Sequence, residues 1–366
     1  MSIANDTKKA VKILVMAGGT GGHVFPALAV ANELIERGVD IEWLGTEKGI
    51  ESNVVRSAGI TLNTIDIVGL RGKSVTVWLK MPFLLMRAVF QSLNVVKRFS
   101  PDLVLGFGGF ASGPGALAAR IFNIPIVIHE QNAIVGTTNK WLSKLTSHKL
   151  AAFPDSLNGA EVVGNPIRSE ITSIASPEER LLSEEKKSGC NLLVLGGSLG
   201  AKKLNEIVPA SLALINKSDR PNVWHQTGKL SYQETVEAYG ADNIEAKVDI
   251  FIDDMKEAYQ WSDLVVCRSG ALTVSEITAV GVAAIFVPYP HAIDDHQTVN
   301  AMWVVNNKAG LLCDEKELTA QVLSDQIMTL LSSPEKLKKL AINARALAKP
   351  TATKKVAEIC LEVANG

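Results

Sequence analysis

Three glycine-rich segments, each placed where a predicted β-strand ends, contain the residues best suited to chemistry. They are Gly18–Gly22, Gly106–Gly115 and Gly196–Gly200. Glycine lets a backbone approach a ligand closely, and a helix that starts at such a loop offers free N–H groups and a partial positive charge. One loop alone could be a tight turn without a ligand. Three of them, divided between the two halves of the chain, favour an enzyme that handles more than one phosphate-bearing substrate.

Polar side chains near these loops each allow two interpretations. Glu276 ends Thr273-Val-Ser-Glu276, which fits a capping box at a helix start, although a carboxylate can also accept hydrogen bonds from two ligand hydroxyls. Ser198, in the third loop, is either a helix-start hydroxyl or a donor to a diphosphate. Arg168 is either a solvated charge or a guanidinium that stabilises a leaving diphosphate. The residues alone favour the cap for Glu276 and leave the other two open.

The elements that must position these residues follow one pattern. Short β-rich runs alternate with longer helical patterns, which is typical of parallel sheets built from βαβ units. Each half opens with a strand, Lys12–Met16 or Asn191–Leu195, that leads into a glycine loop and a helical pattern. The predicted fold is α/β, with two doubly wound Rossmann-like domains facing across a cleft. The other predicted strands are Ile41–Leu44, Asp102–Leu105, Pro125–His129, Lys149–Ala152, Asn222–His225, Leu264–Cys267 and Ala283–Val287.

A turn tripeptide, Gly164-Asn-Pro166, marks the predicted domain boundary. The predicted domains are 1–165 and 166–349. An apolar stripe from Val356 to Val363 has helical spacing and follows Pro350. We therefore expect a C-terminal helix, over about 350–366, that packs back onto the first domain.

Bulk properties exclude several classes of protein. The 366 residues suffice for two domains, and 47% hydrophobic with 20% charged residues is a folding composition. The formal net charge is -1, which argues against a nucleic-acid binder. The 4 cysteines form no C-x-x-C pair, which indicates buried thiols in a reducing compartment. No signal peptide and no apolar stretch of about 20 residues is evident, so we expect a soluble or peripheral cytoplasmic protein.

Eight segments, in chain order, resemble the motifs of the MurG family, whose members are inverting glycosyltransferases of the two-domain GT-B architecture. Together the segments are highly specific, and they span nearly the whole chain. They are Gly18-Gly-Thr-Gly-Gly-His-Val-Phe-Pro26, Gly69-Leu-Arg-Gly-Lys73, Gly108-Gly-Phe-Ala-Ser-Gly-Pro-Gly115, His129-Glu-Gln-Asn132, Gly164-Asn-Pro-Ile-Arg168, Gly196-Gly-Ser-Leu-Gly-Ala201, Phe251-Ile-Asp-Asp-Met255 and Arg268-Ser-Gly-Ala-Leu-Thr-Val-Ser-Glu276.

The resemblance implies substrate-binding roles at the matching positions. Glu276 is expected to accept hydrogen bonds from the uridine ribose hydroxyls, which reverses the preference for the cap. Ile252 is expected to meet uracil through its backbone, and Ser198 to donate to the diphosphate. Asn132 and Gln297 match positions that contact the donor, at its sugar. The remaining substrate-binding residues implied are Thr20, Gly21, Gly22, Arg168, Ala271, Leu272, Thr273, Val274 and Ser275.

The resemblance also makes His23 the candidate general base for the acceptor hydroxyl, a task that suits imidazole because it titrates near neutral pH. A lone histidine is more often structural, and Glu130 is the alternative base. Phe110 stands where the family often has tyrosine, so no function is carried onto it. The adjacent pairs Asp253-Asp254 and Asp294-Asp295 point to opposite faces of an extended segment, so no metal site is expected, and no cofactor either.

The implied reaction is attack by the muramyl 4-hydroxyl of undecaprenyl-diphospho-MurNAc-pentapeptide on the anomeric carbon of UDP-GlcNAc. It proceeds with inversion and releases UDP. The alternatives are a UDP-GlcNAc epimerase, a diacylglycerol glucosyltransferase, or a non-catalytic nucleotide-sugar sensor.

An apolar segment, Ser74–Phe90, predicts contact with an anionic membrane surface. The side chains expected to insert are Trp78, Leu79 and Phe83. Pro82 is expected to split the segment in two. The other interpretation is a core helix after a loop. The resemblance implies that this region faces the leaflet that carries the lipid acceptor, so we expect a peripheral protein on the cytoplasmic face of the inner membrane. The cations expected along one side are Lys73, Lys80 and Arg87.

Overall fold

The computed structural model describes residues 10–67, 75–182, 189–197 and 200–366. The chain divides into two compact units. Unit 1 is Met1–Pro166 with Thr351–Gly366, and unit 2 is Ile167–Pro350. Each unit contains one parallel sheet with helices on both faces, so the predicted α/β class with two doubly wound sheets is confirmed.

Unit 1 is built on a seven-stranded sheet. Its first twelve elements are β1 (Lys12–Met16), α1 (Gly21–Glu36), β2 (Asp40–Gly45), α2 (Glu51–Ser57), β3 (Thr61–Thr64), α3 (Val75–Phe99), β4 (Leu103–Gly106), α4 (Ser112–Ile121), β5 (Ile126–Glu130), α5 (Thr137–Leu142), β6 (His148–Ala151) and β7 (Glu161–Val162). The strand order is β3-β2-β1-β4-β5-β6-β7, and every neighbouring pair is parallel.

Unit 2 repeats the plan with six strands. Its elements are α6 (Ser169–Thr172), α7 (Pro177–Leu182), β8 (Asn191–Leu195), α8 (Lys202–Ala213), β9 (Asn222–Gln226), α9 (Tyr232–Ala241), β10 (Ala246–Asp249), α10 (Met255–Trp261), β11 (Leu264–Cys267), α11 (Ala271–Val280), β12 (Ala283–Phe286), α12 (His296–Asn306), β13 (Leu311–Leu312), α13 (Ala320–Leu331) and α14 (Pro334–Ala346). The strand order is β10-β9-β8-β11-β12-β13. The last helix, α15 (Ala352–Asn365), belongs to unit 1.

The central strands are apolar throughout because helices cover both faces of the sheet. In β1, Ile13 and Val15 belong to the core that contains α1, whereas Leu14 and Met16 belong to the core that contains α3 and α4. The C-terminal helix α15 packs against α1, and its Val356 lies in the first of these cores. This packing makes α15 part of the unit that holds β1, although it follows unit 2 in the chain.

Four strands lack the signal that identified the others. They are β3, β7, β10 and β13, which are the edge strands of the two sheets. Edge strands are exposed on one side, and these are two to four residues long. Polar residues are present in β3, β7 and β10, and β13 consists of two leucines only. A continuous apolar run is not required there, so the sequence pattern misses them.

The predicted break at Pro82 is wrong, because α3 continues as one helix of 25 residues. Proline lacks an N–H and crowds the preceding turn, but its fixed φ is compatible with a helix. Packing of Ala88, Val96 and Phe99 in the core of unit 1 offsets the lost hydrogen bond. Lys73 lies outside the described residues, as do the side chains of Trp78, Leu79 and Lys80. No helix in the described ranges is long and apolar enough to cross a membrane.

The two sheets place the glycine loops at equivalent positions. In unit 1 the strand order reverses between β1 and β4, and the first two glycine loops follow these strands. In unit 2 it reverses between β8 and β11, and the third loop follows β8. Doubly wound folds bind ligands at this point, outside the carboxyl ends of the strands.

Candidate functional site

The first two glycine loops pack against each other in unit 1. Gly109 has a φ of 79°, and a Cβ there would overlap the carbonyl oxygen of Gly18. The Ser112 hydroxyl at the start of α4 lies 2.6 Å from the carbonyl oxygen of Gly108 and 3.0 Å from that of Met16. Part of the requirement for glycine is therefore structural, since the loops touch backbone to backbone.

A buried carboxylate supports the first loop from behind. Glu51 accepts hydrogen bonds from the Gly19 N–H at 3.1 Å, the Thr46 N–H at 3.0 Å and the Thr46 hydroxyl at 2.7 Å. The Gly19 N–H is thus already used. The N–H groups of Gly21 and Gly22 open α1 and have no acceptor within the helix. The helix start at Thr20, its N-cap residue, is consequently the part of this loop that can meet a substrate.

His23, in the first turn of α1, belongs to a chain of polar contacts. Its Nδ1 lies 2.9 Å from Oε1 of Gln131. The Gln131 amide nitrogen lies 2.9 Å from the carbonyl oxygen of His129 and 3.2 Å from Nδ1 of that residue. Nε2 of His129 lies 2.9 Å from the carbonyl oxygen of Gly164. His129 and Gln131 are buried, whereas His23 is half-buried and so can meet a ligand.

The carboxylate of Glu130, the alternative base, accepts four hydrogen bonds from within the protein. Its buried carboxylate accepts from the Asn132 N–H at 3.0 Å, the Asn132 amide at 3.3 Å, the Gly136 N–H at 3.0 Å and the Asn139 amide at 2.9 Å. These bonds hold the loop that contains Asn132. A buried carboxylate with four donors has no lone pair directed at a substrate, so the geometry favours His23 as the base.

In unit 2, Glu276 and Arg168 lie together. The carboxylate of Glu276 is buried in α11, and its Oε2 accepts a hydrogen bond from the Tyr259 hydroxyl at 3.1 Å. An Arg168 nitrogen lies 3.6 Å from Oε1, which has no hydrogen-bond partner among the described residues. Burial raises the pKa of Glu276, and the charge of Arg168 and the Tyr259 hydrogen bond oppose that shift.

The capping-box interpretation of Glu276 is wrong. Helix α11 begins at Ala271 with Gly270 as its N-cap residue, so Thr273 lies inside the helix rather than at its cap. The first turn, Ala271 to Thr273, therefore presents the free N–H groups of a helix start, and Glu276 follows one turn later. Within this segment Ala271, Val274 and Glu276 are buried.

The side chain of Gln226 links Ile252 to the third glycine loop through two hydrogen bonds. The buried Gln226, at the end of β9, donates to the carbonyl oxygen of Gly197 at 3.0 Å and accepts from the Ile252 N–H at 3.0 Å. Because the Ile252 N–H already donates to Gln226, the carbonyl group of Ile252 is the backbone group that can meet a ligand. Ser198, in the same loop, lies outside the described residues.

Gln297 lies in the first turn of α12 and is held by neighbouring loops. Its Oε1 accepts from the Tyr289 N–H at 3.0 Å, and its carbonyl oxygen accepts from the Ser269 hydroxyl at 2.8 Å. Asp294 and Asp295, just before it, both have a φ of 53°. The loop after β12 is thereby tied to the loop after β11, which carries the start of α11.

The predicted residues are thus divided between the two units. Thr20, Gly21, Gly22, His23 and Asn132 lie at the carboxyl ends of β1 and β5. Arg168, Ile252, Glu276 and Gln297 lie in unit 2. Across the described ranges, no group of three or more His, Cys, Asp or Glu side chains could hold a metal ion.

Comparison with known proteins shows the family to which this chain belongs. Residues 13–149 match the glycosyltransferase family 28 N-terminal domain, and residues 191–358 match the glycosyltransferase family 28 C-terminal domain. A protein of Cellvibrio japonicus is 50% identical over 363 residues, which cover 98% of this chain and 100% of that protein. It is named UDP-N-acetylglucosamine--N-acetylmuramyl-(pentapeptide) pyrophosphoryl-undecaprenol N-acetylglucosamine transferase. The crystal structure of Acinetobacter baumannii MurG is 38% identical, with a TM-score of 0.84 over 96% of this chain and 99% of that one. The chain belongs to the MurG family of glycosyltransferases.

A second relative supports the same family, whereas a more distant structure shares the fold alone. A Pseudomonas aeruginosa protein of the same long name is 48% identical over 97% of this chain and 99% of its own length. By contrast, a UDP-GlcNAc 2-epimerase from Neisseria meningitidis is 15% identical, with a TM-score of 0.66 over 96% of this chain and 100% of that one. The MurG-family resemblance inferred from the motifs is therefore confirmed, whereas the epimerase shares only the architecture.

Four supporting residues of this MurG-family enzyme had no role predicted from the sequence. They are Glu51, Gln131, Gln226 and Tyr259. Gln131 lies within His129-Glu-Gln-Asn132, so its motif was visible although its contact with His23 was not. The other three contact residues whose proximity only the folded chain reveals.

Proposed function

We propose that this protein transfers N-acetylglucosamine from UDP-GlcNAc to the muramyl 4-hydroxyl of undecaprenyl-diphospho-MurNAc-pentapeptide, in peptidoglycan synthesis. The observation that carries the proposal is full-length identity of 46–50% to several transferases named for this reaction. The product of the reaction would be the disaccharide-bearing lipid, with UDP as the leaving group.

Unit 2 is the proposed site of the donor. Glu276 would accept the ribose hydroxyls, since its Oε1 is buried without a hydrogen bond. The carbonyl group of Ile252 would meet uracil, because its N–H is already used by Gln226. Arg168, whose side chain is 38% exposed, can turn from Glu276 toward a diphosphate at the third glycine loop. Asn132 of unit 1 and Gln297 would contact the sugar.

Unit 1 is the proposed site of the acceptor. His23 would remove the proton of the acceptor hydroxyl as that oxygen attacks the anomeric carbon. The bond from the anomeric carbon to the β-phosphate oxygen breaks, and inversion follows from a single displacement. Thr20, Gly21 and Gly22 would contact substrate at the start of α1, where N–H groups are free. Negative charge on departing UDP would be stabilised by backbone N–H groups and Arg168.

A UDP-release assay tests the reaction directly. UDP should appear from UDP-GlcNAc only when a lipid-diphosphate-muramyl acceptor is added, and the acceptor should gain one N-acetylhexosamine by mass. Conversion of UDP-GlcNAc to its 2-epimer without acceptor would instead establish an epimerase. Thermal stabilisation by UDP-GlcNAc without turnover on any lipid acceptor would establish a sensor.

Unit 1 would also dock on the anionic membrane that holds the acceptor. On α3, Phe83 is 76% exposed and Phe90 is 61% exposed, and the spacing of seven residues places them on one face. The neighbouring helix α4 exposes Ile121. Trp141, also exposed, has the Lys144 ammonium 4.6 Å from its ring centroid. Exposed aromatic side chains beside cations suit the interface of an anionic bilayer.

Replacing two of these aromatic residues tests the docking surface. The double variant Phe83→Ser, Phe90→Ser should bind vesicles that contain an anionic phospholipid at least about tenfold more weakly, since each buried phenyl ring contributes about 1.5–3 kcal/mol. Its affinity for UDP-GlcNAc should be unchanged. Leu214→Ser is the matched control, because Leu214 is an exposed apolar residue of unit 2. Equal vesicle sedimentation by the folded double variant and the control would place docking elsewhere.

A further inference from the structure

We propose that Gln131 and His129 are positioning residues that fix the tautomer of His23, leaving its Nε2 unprotonated and directed away from the protein contact. The hydrogen-bond chain runs from the carbonyl oxygen of Gly164 through both side chains to Nδ1 of His23. The catalytic consequence rests on the proposed function, whereas the tautomer itself is a property of unit 1 alone.

The first link sets the protonation of His129. Its Nε2 lies 2.9 Å from the carbonyl oxygen of Gly164, which can only accept, so Nε2 carries the hydrogen. Burial lowers the pKa of His129 to about 4, so the ring is neutral near pH 7. A neutral ring with a hydrogen on Nε2 has a lone pair on Nδ1. The ring of Phe107, whose centroid is 5.2 Å away, packs against this imidazole and holds its plane.

The second link orients the amide of Gln131. Its nitrogen lies 2.9 Å from the His129 carbonyl oxygen and 3.2 Å from the His129 Nδ1 lone pair. Both of these neighbours are acceptors, so both amide hydrogens are used. A reversed amide would place its oxygen against two acceptors in a buried site, which is unfavourable. The oxygen of Gln131 therefore points toward His23.

The third link reaches the catalytic ring. Oε1 of Gln131 lies 2.9 Å from Nδ1 of His23, and an amide oxygen can only accept. Nδ1 of His23 thus carries a hydrogen, and in the neutral ring Nε2 has the lone pair. A general base needs that lone pair, and when Nε2 takes a proton the resulting imidazolium keeps its hydrogen bond to Gln131. Fixing a tautomer through the opposite ring nitrogen is how an orienting residue supports a histidine base.

The tautomer can be measured without any substrate. In protein labelled with ¹⁵N-histidine, protonated and unprotonated ring nitrogens have well-separated shifts, and His23→Gln assigns the resonances of residue 23 by their loss. In the neutral form of each ring, we expect His23 with hydrogen on Nδ1 and His129 with hydrogen on Nε2. A wild-type spectrum with hydrogen on Nε2 of His23 would overturn the proposal, whether or not any variant folds.

Substitution of Gln131 tests the consequence. Gln131→Met preserves length but removes both hydrogen bonds, so His23 should populate both tautomers and kcat should fall on the order of 10- to 100-fold, as for other orienting residues. The Kd for UDP-GlcNAc should stay unchanged. Asn139→Leu is the matched control: its amide also donates to the His129 carbonyl oxygen, at 2.9 Å, but it is outside the chain to His23.

The outcomes separate the two proposals. Asn139→Leu should lower the melting temperature but keep the tautomer of His23. If Gln131→Met keeps both a single Nδ1–H tautomer and a normal kcat, Gln131 does not position His23. If the tautomers are as expected but no transfer to a muramyl lipid occurs under any condition, the positioning chain stands and the proposed reaction fails.

Discussion

Glu276→Gln should stabilise the ligand-free protein while it weakens donor binding. The side chain of Glu276 is buried, Oε2 has the Tyr259 hydroxyl as partner, and Oε1 has no hydrogen bond and faces Arg168 at 3.6 Å. A glutamine has nearly the same shape and no charge. Its oxygen can accept from Tyr259, and Arg168, being partly exposed, can turn away from its amide group.

The expected gain follows from the direction of the pKa shift. Burial raises the pKa of Glu276 above its ordinary value of 4.5, against the opposing effects of Arg168 and Tyr259. A carboxyl group whose pKa is higher in the folded state contributes stability below its unfolded pKa, and that contribution disappears as pH rises through the folded pKa. Near neutral pH the ionised group therefore costs stability. A buried acceptor that lacks a hydrogen bond costs about 1–3 kcal/mol, and the charge of Arg168 at 3.6 Å offsets part of that cost.

The expected loss concerns the ribose. A carboxylate can accept from two hydroxyl groups, whereas glutamine offers one oxygen. Loss of one hydrogen bond to a charged group costs about 1.5–3 kcal/mol, which corresponds to a Kd for UDP-GlcNAc about 10- to 150-fold higher. The two effects have opposite signs, so a general disturbance of the fold cannot produce both.

Thermal unfolding without ligand and calorimetric titration with UDP-GlcNAc measure the two effects. Near neutral pH the variant should melt a few degrees higher, at roughly 2–4 °C per kcal/mol for units of this size. The difference should shrink as pH falls below about 4, because Glu276 then becomes protonated in the unfolded state as well as in the folded state. A variant that melts lower at neutral pH, or a difference that is independent of pH, would refute the reasoning.

Four further predictions follow from the same contacts. His23→Ala should lower kcat about 10²- to 10⁴-fold with unchanged donor affinity, measured by steady-state kinetics and calorimetry; near-normal turnover would remove His23 as the base. Gly109→Ala should destabilise unit 1 by at least about 1–3 kcal/mol, because of its positive φ and the overlap with Gly18. Gly113→Ala, which meets no atom within 4 Å, should be neutral or stabilising, and equal denaturant midpoints for both would contradict the packing argument. Gln226→Leu should weaken UDP binding by about 1–3 kcal/mol in calorimetry, because it removes the hydrogen bonds that hold the Ile252 N–H and the Gly197 carbonyl group. Unchanged affinity would show that these hydrogen bonds do not support the UDP site. Activity should persist in EDTA, and loss that Mg²⁺ or Mn²⁺ restores would show a metal requirement.

Local pattern sufficed to predict the architecture of both units. Strands buried on both faces must be apolar, so β1, β8 and β11 stand out as short runs such as Lys-Ile-Leu-Val-Met. Glycine loops directly after β1, β4 and β8 mark the carboxyl ends of these strands, where a doubly wound fold places its site. The order and spacing of the motifs indicate the family to which the chain belongs.

Local pattern misled where packing decides the outcome. Thr273-Val-Ser-Glu276 fits a capping box, but Gly270 adopts the extended N-cap conformation and the helix starts at Ala271. Pro82 disfavours a helix interior, yet core packing further along α3 maintains one continuous helix. Both errors arise because a propensity of about 1–3 kcal/mol is smaller than the packing energy of a whole helix.

The sequence by itself determined the fold class, the positions of the glycine loops and the family of this protein, because these depend on residues that are neighbours in the chain. Only the tertiary structure decided which polar groups are partners. His23 meets Gln131, 108 residues away, because β5 lies beside β4 and β4 beside β1. Glu276 in α11 meets Tyr259 in α10, 17 residues away, with β11 between these two helices in the chain. Hydrogen bonds between distant residues depend on strand order and side-chain direction, which leave no periodic signal in the sequence.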